Sequence, residues 1–404
     1  MGCYICSSDD LTKFLDLGNH PPPLNFVTKE QFDKKDPVFP LEVFFCNSCG
    51  LIQSGTAVDP NLMFIDYVYT SGISQAFKNH LESFAKHIVE RFNLNSNDLV
   101  IDIACNDGTL LSFFSNNGTK ILGVDPSTVA KTAMEKGIPI INNFFNESVG
   151  KKILLSNGKA KAITATNVFA HVKELDSFMK GIKLLLEDDG VFVSESQYLM
   201  HILEKLEYDT MYHEHLRYYG LKQLVKLFEL YDMEVFDAEI IHAQGGSIRV
   251  YASFKGKYPV SGSINEILST EDEKNLHSLD TWKKFANRVS ENKNKLLSIL
   301  SELKSQNKKI VGISAPGRST TVLNYCNITS EILSYVTEKS NLKIGKYTPG
   351  THIEVVDDEK LVEEQPDYGL LLSWHLADSI IPKIRKSGFK GKIIVNLPEP
   401  QILE

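Results

Sequence analysis

"DLVIDIACNDGTLL" (residues 98–111) combines a buried strand, a tight turn and the start of a helix within fourteen positions. Leu99 to Ile103 form an almost wholly apolar run, which is typical of a parallel strand covered on both faces. Asn106, Asp107 and Gly108 then supply turn residues before the helical "TLL". The segment therefore predicts the first strand, turn and helix of a doubly wound α/β sheet.

The segments that follow continue the same alternation of strands and helices. "KILGVDPS" ends a second strand at Asp125, and "AKAITATNVFAHV" and "GVFVSESQ" indicate two further buried strands. The amphipathic helix "LKQLVKLFELYDM" precedes "MEVFDAEIIHAQGGSIRVYASF", whose two extended runs meet at Gly245 and Gly246 as in a hairpin. We expect a mostly parallel sheet that ends in an antiparallel edge hairpin. A dinucleotide site would favour G-x-G-x-x-G in the first turn, and "ACNDGT" has one glycine.

Length and composition set the class of protein. The chain has 404 residues, enough for two to four domains, and its 42% hydrophobic and 23% charged content is typical of globular proteins. A net charge of −8 provides no basic surface for nucleic acid or anionic lipid. Neither a leader segment nor an apolar run of membrane-spanning length is recognisable, so we expect a cytoplasmic protein with no membrane partner. We also expect the protein to be a monomer.

Four of the six cysteines form two C-x-x-C knuckles, Cys3 with Cys6 and Cys46 with Cys49. Two such knuckles in a reducing compartment favour a four-thiolate zinc site, which is closed to water and therefore structural. A pair of disulfides and a thiol redox motif are the alternatives. We expect a small zinc domain over residues 1–66, to whose folding free energy the metal contributes.

The segment "TMYHEHLRYYG" (210–220) concentrates histidines, a glutamate and tyrosines. His213 and His215 are two residues apart, which differs from the i, i+4 spacing of H-E-x-x-H zinc sites. The segment follows the fifth strand, where the carboxyl ends of a doubly wound sheet face the ligand crevice, and His171 follows the fourth strand at the same edge. We therefore expect His171, Tyr212, His213, Glu214 and His215 to face one cleft for acid–base chemistry. A solvated helix with one buried histidine is the alternative.

The last third of the chain contains a long amphipathic helical region and a second α/β unit. Apolar positions recur at helical spacing from Leu276 to Leu303. "KKIVGISAPGRSTTVLNYC" then repeats the strand, glycine turn and helix pattern, so that Gly312 to Arg318 open a helix whose N-terminus favours anions. Arg318, Lys343, Lys346 and His352 are candidate phosphate partners, and ordinary surface charges are the alternative.

The order of these motifs resembles a known enzyme family. "VIDIACNDGTLL" resembles the first motif of class I S-adenosylmethionine methyltransferases, with Ala104 where glycine is often found. The two C-x-x-C pairs, "DYVYTSGIS", "NVFAHV", "YDTMYHEHLRYYG" and "QGGSIRVY" together resemble the nucleotide-sugar C-methyltransferases of deoxysugar biosynthesis, which methylate C-3′. The resemblance implies three domains: a zinc domain (1–66), an S-adenosylmethionine domain (67–260) and a C-terminal Rossmann-like domain (261–404).

The resemblance also implies ligands and roles. The cofactors are S-adenosylmethionine and a structural zinc ion, and the substrate is a nucleotide-diphosphate-linked 4-keto-deoxysugar. His215 is the implied base that removes the proton beside the ketone to form an enolate, with Glu214 holding the histidine and Tyr212 or His171 donating to the enolate oxygen. Tyr67 and Tyr69 are candidates for closing the site.

The implied binding residues fall into two groups. Those for the cofactor are Asp102, Asn106, Asp107 and Gly108 at the methionine end, Asp125 at the ribose, Phe144 or Phe145 at the adenine, and Asn167. Those for the substrate are Gln244, Gly245, Gly246, Gly312, Ala315, Gly317, Arg318, Lys343, Lys346 and His352. For the two phenylalanines, an ordinary place in the core is the alternative.

Three other functions stay open at this point. O- or N-methylation of the same class of sugar shares the fold, and an NAD-dependent ketosugar oxidoreductase shares the sheets and the substrate. A zinc-bearing regulatory or nucleic-acid module is disfavoured by the acidic charge.

Overall fold

The computed structural model describes residues 2–32, 34 and 36–404, apart from the side chains of Ile73 and Gln244. Its strands form three sheets that follow one another along the chain, with one exception described below.

The strands of the described chain have the following bounds: β1 (Leu11–His20), β2 (Phe39–Cys46), β3 (Ile52–Ser54), β4 (Leu99–Ile103), β5 (Lys120–Val124), β6 (Ile140–Ile141), β7 (Ala160–Thr166), β8 (Leu186–Gln197), β9 (Arg217–Tyr218), β10 (Met233–Ile241), β11 (Ser247–Phe254), β12 (Ile310–Ile313), β13 (Val336–Glu338), β14 (Val355–Asp357), β15 (Tyr368–Leu371), β16 (Lys392–Val395) and β17 (Gln401–Leu403).

The α-helices have these bounds: α1 (Pro60–Phe64), α2 (Gln75–Arg91), α3 (Thr109–Asn116), α4 (Ala130–Glu135), α5 (Glu147–Asn157), α6 (Leu175–Leu185), α7 (Leu199–Glu204), α8 (Leu221–Glu229), α9 (Gly262–Glu273), α10 (Leu279–Ser305), α11 (Gly317–Tyr325), α12 (Glu359–Glu364) and α13 (Ala377–Lys386).

The central sheet has seven strands in the order β10-β11-β8-β7-β4-β5-β6. Strands β8, β7, β4, β5 and β6 are parallel, and β11 and β10 add the antiparallel hairpin. The predicted doubly wound sheet with an edge hairpin is therefore confirmed. Strand β4 is buried throughout because helices cover both faces, and this explains the absence of polar alternation in its sequence.

The turn after β4 has an unusual backbone. Gly108 has φ +73, in the left-handed region that glycine adopts without a Cβ penalty. Ala104 also lies in this region, with φ +58, at the position where the related motif often has glycine. The turn then enters α3, so the carboxyl end of β4 is closed by a short and tightly folded loop.

The N-terminal sheet has the order β1-β2-β3-β9, and its last strand comes from the middle of the chain. Gln53 of β3 pairs with Arg217 of β9. The segment 210–220 thus passes from the central sheet into the N-terminal sheet. The predicted domain boundaries at residues 66 and 260 stay predictions.

The C-terminal sheet has the order β14-β13-β12-β15-β16-β17 and is parallel except for β17. This is the 3-2-1-4-5-6 order of a Rossmann sheet, as the sequence predicts. Helix α10 joins it to the rest: its Trp282 packs on Phe14 of β1 with ring centroids 5.6 Å apart, and its Asn292 donates to the carbonyl of Asn396. Within the described residues, no helix is long and apolar enough to cross a membrane.

Candidate active site

A cavity of about 820 Å³ lies at the carboxyl ends of β4, β5, β7 and β8, where the three sheets approach one another. Its wall includes Leu24 between β1 and β2, Tyr67 between α1 and α2, and Gly317 at the start of α11. The volume is at the upper end of the range of about 300–1,000 Å³ for small-molecule sites. The cavity is therefore large enough for a cofactor and part of a substrate.

His215 lies in the wall of this cavity. Its Nδ1 atom is 2.7 Å from the carbonyl oxygen of Thr210. A carbonyl only accepts, so Nδ1 carries the hydrogen and Nε2 keeps its lone pair. Burial lowers the pKa of His215 to about 4, against the opposing effect of the Thr210 carbonyl, and the charge of Arg318 contributes in the same direction as burial. The ring is therefore neutral at pH 7 and available as a proton acceptor.

His171 forms a stack with its aromatic neighbours. Its ring centroid lies 5.0 Å from that of His215 and 5.6 Å from that of Phe64. The Tyr212 ring approaches His215 to 4.2 Å between centroids. Burial also holds the pKa of His171 well below its usual value. The structure thus brings together the two segments that the predicted sheet places at one edge.

Glu214 and Tyr67 form a second polar pair in the wall. The Tyr67 hydroxyl donates to Oε2 of Glu214 over 3.1 Å. Burial raises the pKa of Glu214 to about 8, and the bond from Tyr67 opposes this rise. Burial also raises the pKa values of Tyr67 and Tyr212 well above 10, so both phenols stay protonated. Tyr69 lines the cavity as well, with its ring centroid 6.3 Å from that of Tyr67.

Two expectations for the segment 210–220 are wrong, as is the alternative of a solvated helix. It forms a turn and strand β9 rather than a solvated helix, and most of its residues are buried. His213 does not face the cavity: its ring packs on Phe39, and Nε2 lies 3.3 Å from the Pro40 carbonyl. Glu214 bonds Tyr67, and the Thr210 carbonyl instead orients His215. A backbone carbonyl has no sequence signature, which is why sequence reasoning missed Thr210.

The cofactor side of the cavity is formed at the ends of β4 and β5. Asp125 accepts from the backbone N–H groups of Asn106 (2.9 Å) and Ser127 (2.8 Å). Asp102 accepts from the Thr164 hydroxyl over 2.7 Å, and burial raises the pKa of this carboxyl to about 7. Asp102, Asn106 and Asp125 all line the cavity, and their contact with the cofactor stays a prediction.

Other predicted cofactor residues differ in their placement. Phe144, Phe145 and Asn167 line the cavity, although Phe145 is buried and packs edge-on against Phe178 at 5.2 Å. Asp107 and Gly108 do not line it. Asp107 instead accepts from the Gly72 N–H over 2.7 Å and from Thr109, and it thereby holds the turn.

Gly108 has a packing role. A Cβ on this residue would lie 2.5 Å from Ile138 Cδ1 and 2.8 Å from Ala133 Cβ. Only a residue without a Cβ lets the turn pack this closely on the neighbouring segment. We therefore replace the prediction that Gly108 contacts the cofactor. Its role is instead to fix the conformation of the loop whose Asn106 lines the cavity.

The C-terminal side contributes Gly317, Arg318 and Lys343 to the wall. Arg318 lies 3.6 Å from Asp209 and 3.8 Å from Glu207, two buried acids. The Lys343 ammonium donates to the carbonyl of Ala315 over 2.9 Å and pairs with Glu338 at 3.1 Å. The charge of Lys343 is therefore largely compensated within the protein.

Several predicted substrate residues do not line the cavity: Gly245, Gly246, Gly312, Ala315, Lys346 and His352. His352 pairs with Asp36 at 2.9 Å and stacks on Phe32, so it joins the C-terminal domain to the N-terminal region. Gly246 lies against the His201 ring, where a Cβ would come within 1.9 Å of Nδ1. The side chain of Gln244 lies outside the described residues.

The four predicted zinc ligands converge at the edge of the N-terminal sheet. Their sulfur atoms all lie within 4.8 Å of one another, with Cys3 and Cys49 3.5 Å apart and Cys6 and Cys46 3.6 Å apart. Zn–S bonds of about 2.3 Å in a tetrahedron require sulfurs about 3.8 Å apart, whereas a disulfide requires about 2.05 Å. The four thiols therefore fit a zinc ion, and the disulfide alternative is wrong.

The cofactor side of the cavity also fits S-adenosylmethionine by the chemistry of its groups. The carboxylate of Asp125 stands at the end of the second strand, where such an acid suits the hydroxyls of a ribose. Asp102 brings a second carboxyl group to the part of the wall that would face a cationic sulfonium and ammonium. Phe144 and Phe145 provide aromatic surface for an adenine.

Family comparisons agree with this three-part construction. The model described as "Putative zinc binding domain" matches residues 3–64, the one described as "Methyltransferase domain" matches 77–238, and the one described as "C-methyltransferase C-terminal domain" matches 242–398.

Individual proteins that are similar to the chain cover different shares of it. C-methyltransferase NovU of Streptomyces niveus is 29% identical over 406 residues, covering 99% of this chain and 96% of the relative. Sphingolipid C9-methyltransferase 2 of Gibberella zeae is 30% identical over 139 residues, covering 31% of this chain and 27% of the relative. A solved S-adenosylmethionine-dependent methyltransferase from Clostridium acetobutylicum is 15% identical, with a TM-score of 0.36, covering 44% of this chain and 92% of that one.

The zinc-binding, methyltransferase and C-terminal family models follow one another along the chain in the order that the sequence predicts. These family matches exclude the oxidoreductase and regulatory alternatives. With its class I central sheet and its four-cysteine zinc site, the chain belongs to the C-methyltransferase family and uses S-adenosylmethionine as its methyl donor.

Proposed function

We propose that this enzyme methylates the carbon beside the ketone of a nucleotide-diphosphate-linked 4-keto-deoxysugar, at C-3′, with His215 as the base. The observation that carries the proposal is the bond from His215 Nδ1 to the Thr210 carbonyl, which leaves Nε2 as a proton acceptor in the cavity wall. S-adenosylmethionine supplies an electrophilic methyl group when it is bound.

Removal of the C-3′ proton needs a base and a group that stabilises charge on the ketone oxygen. The neutral imidazole of His215 accepts the proton at Nε2, and the Thr210 carbonyl stabilises the imidazolium that forms at Nδ1. The Tyr212 and His171 rings on either side of His215 keep its plane fixed. A held ring lowers the entropy cost of reaching the reactive geometry.

The oxygen of the ketone gains negative charge as the proton leaves. Protonated groups in the wall that can donate to it are Tyr212 and, below pH 8, the carboxyl of Glu214. Tyr67 donates to one oxygen of Glu214 and leaves the other oxygen for its proton. A buried carboxylic acid kept neutral in this way is a strong donor to an enolate oxygen. His171, neutral by burial, can donate from the same wall.

The diphosphate of the substrate belongs at the C-terminal side of the cavity. Arg318 and the N-terminus of α11 are positioned there, and guanidinium and helix N–H groups both bind phosphate oxygens well. Helix α11 begins at Gly317, which itself carries no side chain. Zinc thiolates require reduced cysteines, which are typical of the cytoplasm, so we propose that the enzyme acts there. We also propose that it is a monomer. Its three domains would be divided near residues 66 and 260.

A mass-spectrometric assay against a panel of TDP- and GDP-linked 4-keto-deoxysugars tests the proposal. In D₂O with S-adenosylhomocysteine, one ring position beside the ketone should exchange, and with S-adenosylmethionine the same carbon should gain a methyl group. Methylation on oxygen or nitrogen, without exchange, would contradict it.

A further inference from the structure

Arg217 stands two residues beyond His215 and has only 1% of its surface exposed. Its Nη2 donates to the carbonyls of Phe169 and Val172, and its Nε donates to the Tyr219 hydroxyl over 2.9 Å. The two carbonyls flank the turn Phe169–His171. One side chain therefore holds both ends of the turn that carries His171.

A backbone bond completes the attachment of this turn. The N–H of Leu216, between His215 and Arg217, donates to the Ala170 carbonyl over 3.0 Å. The turn with His171 and the segment with His215 are thus joined through neighbouring residues on each side. This explains how two loops from different strands keep their imidazole rings 5.0 Å apart.

The guanidinium also contacts the zinc-binding knuckle. Its Cζ atom lies 4.8 Å from the ring centroid of Tyr4, which stands between Cys3 and Cys6. The Tyr4 N–H donates to Oε1 of Gln53, the residue that pairs with Arg217 across β3 and β9. The knuckle is therefore fastened to the same strand pair that carries Arg217.

The desolvation cost of burying the Arg217 guanidinium indicates that this residue has a specific function. A buried guanidinium without a carboxylate is costly to desolvate, and the ion pairs of the described residues include none with Arg217. Its Nη1 is buried without a hydrogen-bond partner among them. An arginine can donate several hydrogen bonds from a planar guanidinium and can stack this group on an aromatic ring, whereas a lysine can do neither.

We propose that Arg217 is a positioning residue, which aligns His171 with His215 and couples this alignment to the Cys3–Cys6 knuckle through Tyr4. The catalytic meaning of the alignment rests on the proposed function, whereas the alignment itself is a property of the protein alone.

The test compares Arg217→Lys with Arg288→Lys, a matched change at an exposed arginine. Arg217→Lys should lower kcat for methylation about 100-fold, because small misplacements of catalytic groups cost this much, and should leave S-adenosylhomocysteine affinity unchanged by calorimetry. The imidazole ¹⁵N and ¹H signals of His171 and His215 should shift in Arg217→Lys and keep their wild-type positions in Arg288→Lys.

Tyr4 provides a second, independent pair of variants. Tyr4→Phe keeps the ring over the guanidinium and should behave as wild type, whereas Tyr4→Leu should lower kcat and shift the same imidazole signals while the zinc content stays at one ion per chain.

Wild-type imidazole signals and kcat in both Arg217→Lys and Tyr4→Leu would overturn the proposal, as would loss of cofactor binding in Arg217→Lys, which would make Arg217 a support of the whole fold. If no sugar of the panel reacts with the wild-type enzyme, the proposed function fails while the imidazole signals still decide the alignment.

Discussion

His215 donates from Nδ1 to the carbonyl oxygen of Thr210 over 2.7 Å. Thr210 closes the short turn Tyr208–Thr210, whose Asp209 faces Arg318 at 3.6 Å. One turn thus fixes the tautomer of the base and also holds the guanidinium on the C-terminal side of the cavity. The two halves of the proposed substrate site, one for the sugar and one for the diphosphate, would share this support.

The dependence of kcat/KM on pH should be bell-shaped. His215 must be neutral to accept a proton, so activity should rise as the pH rises through about 4. Glu214 must be protonated to donate, so activity should fall as the pH rises through about 8. Initial rates of methylation across this range measure both limbs.

Glu214→Gln separates the two limbs. The amide cannot ionise and still offers a donor, so the fall above pH 8 should disappear while the acid limb stays. An unchanged alkaline limb in Glu214→Gln would assign that limb to another group and would remove Glu214 from the proposed donor role.

Arg318→Gln should weaken the substrate and spare the cofactor. A charge-assisted hydrogen bond contributes about 1.5–3 kcal/mol, so KM for the nucleotide sugar should rise roughly 10- to 100-fold. Calorimetry with S-adenosylhomocysteine should show unchanged affinity. An equal loss for both ligands would place Arg318 in a general structural role.

Gly108→Ala should destabilise the protein more than Gly118→Ala. Both glycines have positive φ, +73 and +88, which costs a residue with a Cβ about 1 kcal/mol. A Cβ at Gly118 meets nothing within 4 Å, whereas one at Gly108 overlaps Ile138 and Ala133, and such overpacking adds about 1–3 kcal/mol. Denaturant unfolding of the two variants gives the difference, and equal losses would argue against the tight packing of this turn.

Removal of zinc should destabilise the N-terminal sheet. Cys3 and Cys6 precede β1, whereas Cys46 ends β2 and Cys49 lies in the turn before β3, so a metal held by all four would join the start of the chain to this sheet. Structural zinc contributes folding free energy directly. We expect one zinc ion per chain by elemental analysis, and a lower melting temperature after chelation that Zn²⁺ restores and Mg²⁺ does not. A melting temperature insensitive to chelation would contradict a structural metal.

The sequence predicts the parts of the fold that depend on local patterns. The buried run Leu99–Ile103, the hairpin around Gly245 and Gly246, and the second α/β unit each carry a periodicity or turn signal that survives in the structure. The four cysteines are equally readable, because C-x-x-C spacing sets the geometry of each knuckle.

Contacts between segments that are distant in the sequence cannot be predicted from local patterns. Strand β9 pairs with the N-terminal sheet, although nothing in "LRYYG" distinguishes it from a loop. In an extended chain, His213 and His215 would lie on the same side, but a turn closed by the bond from the His215 N–H to the Tyr212 carbonyl (2.9 Å) separates their side chains. Tertiary contacts then place His213 against the Pro40 carbonyl and His215 in the cavity wall. His352 likewise pairs with Asp36, more than three hundred residues away in the sequence, and does not line the cavity.

His215→Asn examines the role of His215 as the base without an intermediate assumption, and His213→Asn is its control from the same buried segment. In D₂O with S-adenosylhomocysteine, deuterium exchange beside the ketone should fall by at least about 100-fold in His215→Asn while cofactor affinity is kept, and His213→Asn should retain exchange. Exchange at the wild-type rate in His215→Asn would contradict the assignment of the base.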